Sequence, residues 1–446
     1  MAPNPPPLRV LISGAGIAGP ALALHLSRLP APLKCTTTVV ERHPTLRSSG
    51  QQIDLRGQGI DAMRAAGIEA AVRARVVDEP GLAFIDRRGG KTQAYFAANK
   101  SGKGAQSFSA EWEIMRGDMC EILYEATVGL EGVKYVFGTS VEEFTQGTGG
   151  KGPVRVRFSD GSEGEFDLLV GCDGLGSKIR RRMFSDGRPD GLRPIGMLAA
   201  FYTVPHREGD PAYATIMPLP GRRHVITRRD RPDCLRVYLG VHGESPYGPE
   251  LSKVLKSGGT LAEKKDAWVK AFGPDAHNTY QLQRFLDGLN SPEADDFYTV
   301  EYAQVRLDNW SEGRVVLVGD AGYCPAPITG FGTSLALAGA YVLAGEIARA
   351  CGRAQGEGSP WDNIPAALAA YETTLRPLVD HVQDINIERR TKLFLPGSAW
   401  GISLMNWIAW LIATLRIDRL ATRFMSDDRG PWKLPEYPEL TPIKKA

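Results

Sequence analysis

The chain has 446 residues, 43% hydrophobic and 23% charged, longer than one core usually fills and composed like a folded enzyme rather than a disordered or fibrous chain. Its 53 basic and 51 acidic residues leave a formal charge of +2 with no basic run able to track a phosphate backbone, which argues against nucleic acid as a partner. The six cysteines stand singly, with no Cys-x-x-Cys pair and no histidine at zinc-ligand spacing, so no metal site or disulfide framework is expected and a reducing, cytoplasmic setting fits.

The first seven residues are proline-rich and carry no secretion-signal pattern. Residues 8–13 read as a buried strand, 14–19 as a tight loop, 20–29 as an alanine and leucine helix, and 36–40 as a second strand. That βαβ order predicts a parallel, doubly wound sheet. In the loop Gly14-Ala15-Gly16-Ile17-Ala18-Gly19, Gly14 permits the turn, Gly16 lets backbone approach a pyrophosphate and Gly19 lets the helix lie close to the strand. Ile17 and Ala18 belong to the same loop, which opens the helix whose N-terminus faces the phosphates. Glu41 ends the second strand roughly 20 residues later, where a carboxylate can accept hydrogen bonds from an adenosine ribose. Arg42 is a secondary candidate for covering the adenine or touching the ribose. The loop by itself does not separate FAD from NAD(P).

Helical patterns follow at 59–67 and 116–127, the second introduced by a short segment at 111–115, and a hairpin turns at Ser159-Asp160-Gly161-Ser162. Strand-like segments at 197–204, 212–217, 224–228 and 235–241 mark a second, mostly antiparallel domain, continued by a helix at 261–272. The chain then returns to the first domain through a strand at 314–318, a helix at 333–350, a glycine-rich linker at 352–358 and a helix at 364–387 that contains Pro377. Residues 393–415 hold no charge and carry Trp400, Trp407 and Trp410, a stretch long enough to cross a bilayer. Pro396, Gly397, Gly401 and Asn406 interrupt it. A buried helix bridging the two domains is the expectation, with an interfacial membrane helix as the alternative.

Two segments separate the cofactors. Asp173-Gly174, after the apolar run 168–171 and before Ser177-Lys178-Ile179-Arg180, resembles the DG motif of class A flavoprotein monooxygenases. Gly313 to Ala321, ending in Gly319-Asp320-Ala321, resembles their GD motif. With the N-terminal loop these motifs stand in the family's order, and the resemblance covers roughly residues 8–390. Gln51-Gln52-Ile53-Asp54-Leu55-Arg56 is most similar to tetracycline-inactivating flavin monooxygenases and related fungal and actinobacterial enzymes.

The resemblance implies an α/β fold. A Rossmann-like FAD-binding domain of the para-hydroxybenzoate hydroxylase-like type would occupy 8–75, 106–188 and 298–390. A mostly antiparallel β-sheet substrate domain would occupy 76–105 and 189–297, with C-terminal helices in 391–446. It assigns Asp320 to the ribityl chain, Arg116 to the ribityl-phosphate region and Asp173 to the cofactor site. Pro327, Gly330, Gly332 and Thr333 would face the flavin ring at the start of a helix, whose free N–H groups favour an anion.

The pattern is broken where many members have Ala-His and this chain has Gly322-Tyr323, and where Ser334 and Gly339 replace an Asn-x-x-x-x-Asp. No side-chain acid or base is therefore expected at those positions, and no catalytic side chain is assigned. The implied activity is oxygenation of a hydrophobic, aromatic or polyketide-like small molecule by hydroxylation, epoxidation or Baeyer–Villiger insertion. NAD(P)H, NADPH preferentially, would reduce FAD, and O2 would be captured as a flavin C4a-hydroperoxide. A flavin oxidase or reductase and a non-catalytic flavin-binding protein are the alternatives. Tyr202, Met217, Arg222, His224 and Tyr238, from strands of the second domain, are the expected substrate contacts.

Overall fold

The computed structural model describes residues 5–47, 50–98, 112–147, 150–353, 359–384, 395–416 and 430–440. The expected segment start at 111, linker residues 354–358, helix end at 385–387 and apolar residues 393–394 lie outside these.

Strand Leu8–Ser13 is apolar on both faces and buried almost throughout, as a central parallel strand requires. It sits inside a six-stranded sheet in the order Ser311–Glu312, Val315–Leu317, Leu168–Gly171, Leu8–Ser13, Cys35–Glu41, Val133–Phe137. All neighbours pair in parallel except the short edge strand Ser311–Glu312. Helices Ala18–Leu26 and Gly332–Gly352 join this sheet in one core. The latter is long and apolar enough to cross a membrane, but most of it is buried inside the protein.

The second sheet has seven strands, in the order Tyr298–Val305, Leu192–Pro205, Cys234–His242, Arg223–Arg228, Ala214–Leu219, Gly81–Ile85, Thr92–Ala97. Its pairs are antiparallel except Ala214–Leu219 with Gly81–Ile85. One face carries a core with Trp268, Phe272 and Leu286 of the helices Leu261–Phe272 and Leu282–Gly288. The other face turns toward the first domain. The expected domain division needs correcting at 298, because Tyr298–Val305 pairs along Leu192–Pro205 as the edge strand of this sheet.

The C-terminal residues also divide differently from expectation. Helix Ala399–Thr414 lies on strands Thr92–Ala97 and Ala214–Leu219 of the second sheet, with Trp400 74% and Trp407 56% exposed. It is therefore not a buried helix bridging the domains; only one flank meets protein. Residues 430–440 return to the first domain as a strap. There the Trp432 indole donates to the Thr374 carbonyl at 2.8 Å, and the Tyr437 hydroxyl to Glu346 Oε1 at 2.6 Å. Tyr437 lies against Gly345, where a Cβ would come within 2.3 Å of its ring.

Two enclosed histidines link this packing to pH. Burial, and then Arg28, lowers His25 from 6.5 to about 3, and burial lowers His224 from 6.5 to about 4. Both folded values lie below the unfolded one, so the unfolded chain takes up protons first as the pH falls. Their stabilisation is complete above 6.5 and is lost between there and about 4 for His224 and about 3 for His25, at about 1.4 kcal/mol per pH unit for each group. The thermal midpoint is expected to drop on going from pH 7 to 5, and less steeply in a His25→Gln/His224→Gln variant. Equal slopes for the two proteins would exclude these histidines as the cause.

Candidate functional site

Parallel pairing gathers the motifs at one edge. Ser13 is aligned with Val40 and Gly171, and Gly171 with Leu317. The chain leaving each strand therefore emerges at the same carboxyl end, where open α/β sheets bind their ligands.

The glycine loop is fitted to its neighbours. Gly14 has φ +113°, and a Cβ there would lie 2.4 Å from the Cys172 carbonyl oxygen; a Cβ on Gly19 would lie 2.0 Å from that of Gly14. Glu41 holds the loop from the next strand, Oε2 accepting from the Ala15 N–H at 3.0 Å and Oε1 from the His43 N–H at 2.9 Å. Arg42 is exposed beside it. Arg116 starts the helix Arg116–Glu125 and brings its guanidinium to 3.5 Å from the place a Gly16 Cβ would occupy.

A cavity of about 430 Å³ opens beyond this loop. Gly16, Ile17, Ala18 and Arg116 line one end, and Asp320, Pro327, Gly330, Gly332 and Thr333 another. Helix Gly332–Gly352 begins at this wall with no side-chain cap, so its first N–H groups and positive dipole end face the cavity. Burial raises the Asp320 carboxyl, against the lowering influence of Cys324, Arg116 and Arg180.

The loop before that helix is held in an uncommon shape. Ala326 has φ +74°. Its neighbours are fixed by the Gln304 amide donating to the Pro325 carbonyl at 3.2 Å and the Gln383 amide donating to that of Cys324 at 3.1 Å. Such strain persists only where the surroundings over-determine it. Arg180, fully buried, ties the two motif loops together by donating to the Ala321 carbonyl at 3.0 Å and the Leu175 carbonyl at 2.7 Å.

Asp173 departs from its expected part. Its carboxylate accepts from the Ser177 hydroxyl at 2.6 Å and the Lys178 N–H at 2.7 Å, closing the start of helix Lys178–Met183; Gly174, not Asp173, lines the cavity. The altered family positions form pairs. Ser334 Oγ accepts the Arg56 N–H at 2.9 Å. The Tyr323 hydroxyl occupies the space beside Gly339, 1.9 Å from where a Cβ would stand, and shares a 2.8 Å hydrogen bond with the Tyr371 hydroxyl. Tyrosine at 323 and glycine at 339 thus require each other.

Opposite the loops, the second sheet supplies Phe201, Ile226, Arg228, Tyr238 and Tyr302. Of the five expected substrate residues only Tyr238 lines this wall. Tyr202 points to the other face, donating to the Phe285 carbonyl at 2.9 Å, and Met217 is buried in the core on that face. Side chains alternate along a strand, so Phe201 rather than Tyr202 meets the cavity. Arg222 occupies the turn before strand Arg223–Arg228 with φ +56° and pairs with Glu244 at 3.7 Å. His224 shares the parity of Ile226 and Arg228 but sits farther along the strand, over Gly240, outside the cavity lining.

Arg228 escaped the sequence reading, although its parity with Ile226 and its charge in an apolar strand could have marked it. It stands 3.7 Å from both Glu79 and Glu113, carboxylates whose side chains are each 1% exposed. Burial lowers the guanidinium's pKa, and the two carboxylates more than reverse this. Burial pushes the Tyr238 hydroxyl up to about 12, against the lowering influence of Arg228 and of the Gln52 backbone, so it stays protonated and can donate.

These residues fit a dinucleotide carrying a flavin ring. A side-chain-free loop faces an arginine at one end, and a helix N-terminus with a half-buried carboxyl lies at the other. A larger groove of about 1140 Å³ fits less well, because Asp78, Asp118, Asp230, Asp233, Glu293, Asp295 and Asp296 outnumber its arginines. Among the described residues no group of three or more His, Cys, Asp or Glu could hold a metal ion.

Comparison with known proteins agrees. The FAD binding domain family matches residues 7–382. An FAD-dependent monooxygenase, asL4, of Sarocladium schorii is 39% identical over 98% of this chain and 99% of its own length. A flavin-dependent monooxygenase, eupH, of a Phoma species is 40% identical with the same coverage of 98% and 99%. The crystal structure of tetracycline destructase Tet(55) superposes with a TM-score of 0.72 at 27% identity, covering 98% of this chain and 100% of that one.

Proposed function

Since the chain belongs to the FAD binding domain family and is an FAD-dependent monooxygenase of the class A type, we propose that it oxygenates a hydrophobic, aromatic or polyketide-like small molecule, with NAD(P)H, NADPH preferentially, as reductant. The observation that carries this reading is the cavity between the motif loops and the aromatic wall of the second sheet. Bound FAD, once reduced, supplies activation of O2 and delivery of one oxygen atom.

Gly14 to Gly19 cradle the pyrophosphate, Glu41 takes the adenosine ribose, and Arg116 balances phosphate charge. Asp320 takes the ribityl chain. The first turn of helix Gly332–Gly352, with Pro327 and Gly330 before it, offers N–H groups where negative charge collects on the reduced ring. Phe201, Ile226 and Tyr302 exclude water and give a planar apolar substrate contact area. Arg228 and the Tyr238 hydroxyl orient an oxygen substituent of that substrate, a phenol or an enol, and favour its ionised form. The positions that differ from the family pattern, Tyr323, Ser334 and Gly339, are engaged in packing and make no contribution to proton transfer.

The test is substrate-stimulated NADPH oxidation by purified holoenzyme across phenolic and polyketide compounds, with mass spectrometry of the product. A gain of one oxygen atom is expected. Loss of two hydrogens without oxygen gain would replace this reading with an oxidase.

A further inference from the structure

Helix Ala399–Thr414 carries no charged residue, yet among the described residues protein covers only one side of it. Met405, Ala409, Ile412 and Ala413 rest on Leu82, Phe84, Ala94, Phe96 and Ala214. Away from that contact Trp400, Leu404, Trp407, Ile408 and Trp410 are exposed, by 74%, 40%, 56%, 44% and 47%. A helix at the surface of a soluble protein normally presents polar residues there, and a contiguous apolar patch marks a contact surface.

Three features choose its occupant. At 16 residues the helix is about 24 Å long, short of the roughly 30 Å hydrocarbon core, so it suits lying along a bilayer rather than crossing it. Tryptophan is the side chain enriched where lipid tails meet water. The sequence flanking the helix is net positive: between residues 384 and 429 it holds Arg389, Arg390, Lys392, Arg416, Arg419, Arg423 and Arg429 against Asp384, Glu388, Asp418, Asp427 and Asp428. Arg416, directly after the helix, is exposed. A second copy of the chain could cover the apolar face, but a two-fold contact would set like charges against each other.

We propose that helix Ala399–Thr414 docks the protein on an anionic lipid surface, its tryptophan side immersed at the headgroup level. Leu82 belongs both to the cluster under the helix and to the wall of the cavity, so the docked chain holds that cavity close to the bilayer. Delivery of an apolar substrate from the lipid follows from this position and rests on the substrate reading above; the docking itself does not.

Full-chain holoenzyme is sedimented with vesicles of phosphatidylcholine alone and of phosphatidylcholine with phosphatidylglycerol. Binding to the anionic vesicles is expected to be the stronger. It should weaken at least tenfold in Trp400→Ser/Trp407→Ser/Trp410→Ser and several-fold in Arg416→Glu. Both variants alter exposed side chains, and retained flavin absorbance verifies their fold. Protein left in the supernatant with anionic vesicles overturns the proposal. So does binding that survives the triple substitution, or self-association that this substitution abolishes without any vesicle binding. Substrate-stimulated NADPH oxidation in detergent-free solution is read in parallel, so failure to bind lipid is distinguishable from failure of the monooxygenase reading.

Discussion

Asp320→Ala is expected to purify colourless. The carboxyl is half-buried at the cavity wall, and a Cβ on Gly332 would stand 3.7 Å from its Oδ1, so it occupies the narrow space between two backbone loops. The other carboxylate in the lining, Asp54, is held by the Arg56 guanidinium at 2.7 Å. Removing an acceptor from a hydroxyl chain costs about 1.5–3 kcal/mol where the acceptor is charged, or roughly 10- to 150-fold in FAD affinity. The ratio of flavin to protein absorbance after gel filtration measures it, with Asp320→Asn expected to retain more flavin than alanine. A fully yellow Asp320→Ala protein would remove Asp320 from the cofactor site.

The second large effect belongs to Arg228. Its guanidinium faces Glu79 and Glu113, and Glu113 also accepts from the Gln52 amide. Arg228→Ala leaves two nearly inaccessible carboxylates without that charge, a cost of about 3–5 kcal/mol, or roughly 3–5 °C in the thermal midpoint of a chain this long. Arg228→Ala combined with Glu79→Gln and Glu113→Gln should recover most of that loss, because no buried charge then remains unmatched. Substrate-stimulated NADPH oxidation should stay low in both proteins, since neither presents a cation to the substrate. Full stability in the single variant would show that the carboxylates are protonated or solvated in the fold.

The first domain was largely legible because its signals are local. A strand, a glycine loop and a helix follow one another within the first thirty residues, and parallel pairing then leaves few places for Asp320 or the helix after it. The second sheet was less legible because the face a strand turns inward depends on how two sheets meet. Tyr202 and Phe201 are adjacent in sequence and equally apolar in context, yet a step of one residue moves the side chain from cavity to core. Asp173 reads as a cofactor contact from its motif, but the nearby Ser177 hydroxyl and Lys178 N–H claim its oxygens. Tyr323 and Gly339 look like two losses in the sequence, and only their meeting in space makes them one exchange. The tryptophan helix has the same composition whether covered or bare, so its exposure was beyond reach.

The strap that ends at Leu440 bears on how the protein is made. A chain emerging from the ribosome lays down Leu8–Ser13 and the glycine loop first, but Glu346 and the bare flank of Gly345 wait for Tyr437. Until then the domain that holds the glycine loop has an open seam beside its longest helix. Domain-by-domain maturation during synthesis is thus closed to this fold: the earliest half of the protein is finished last, and a nascent chain stalled before Tyr437 would be the form most in need of a chaperone.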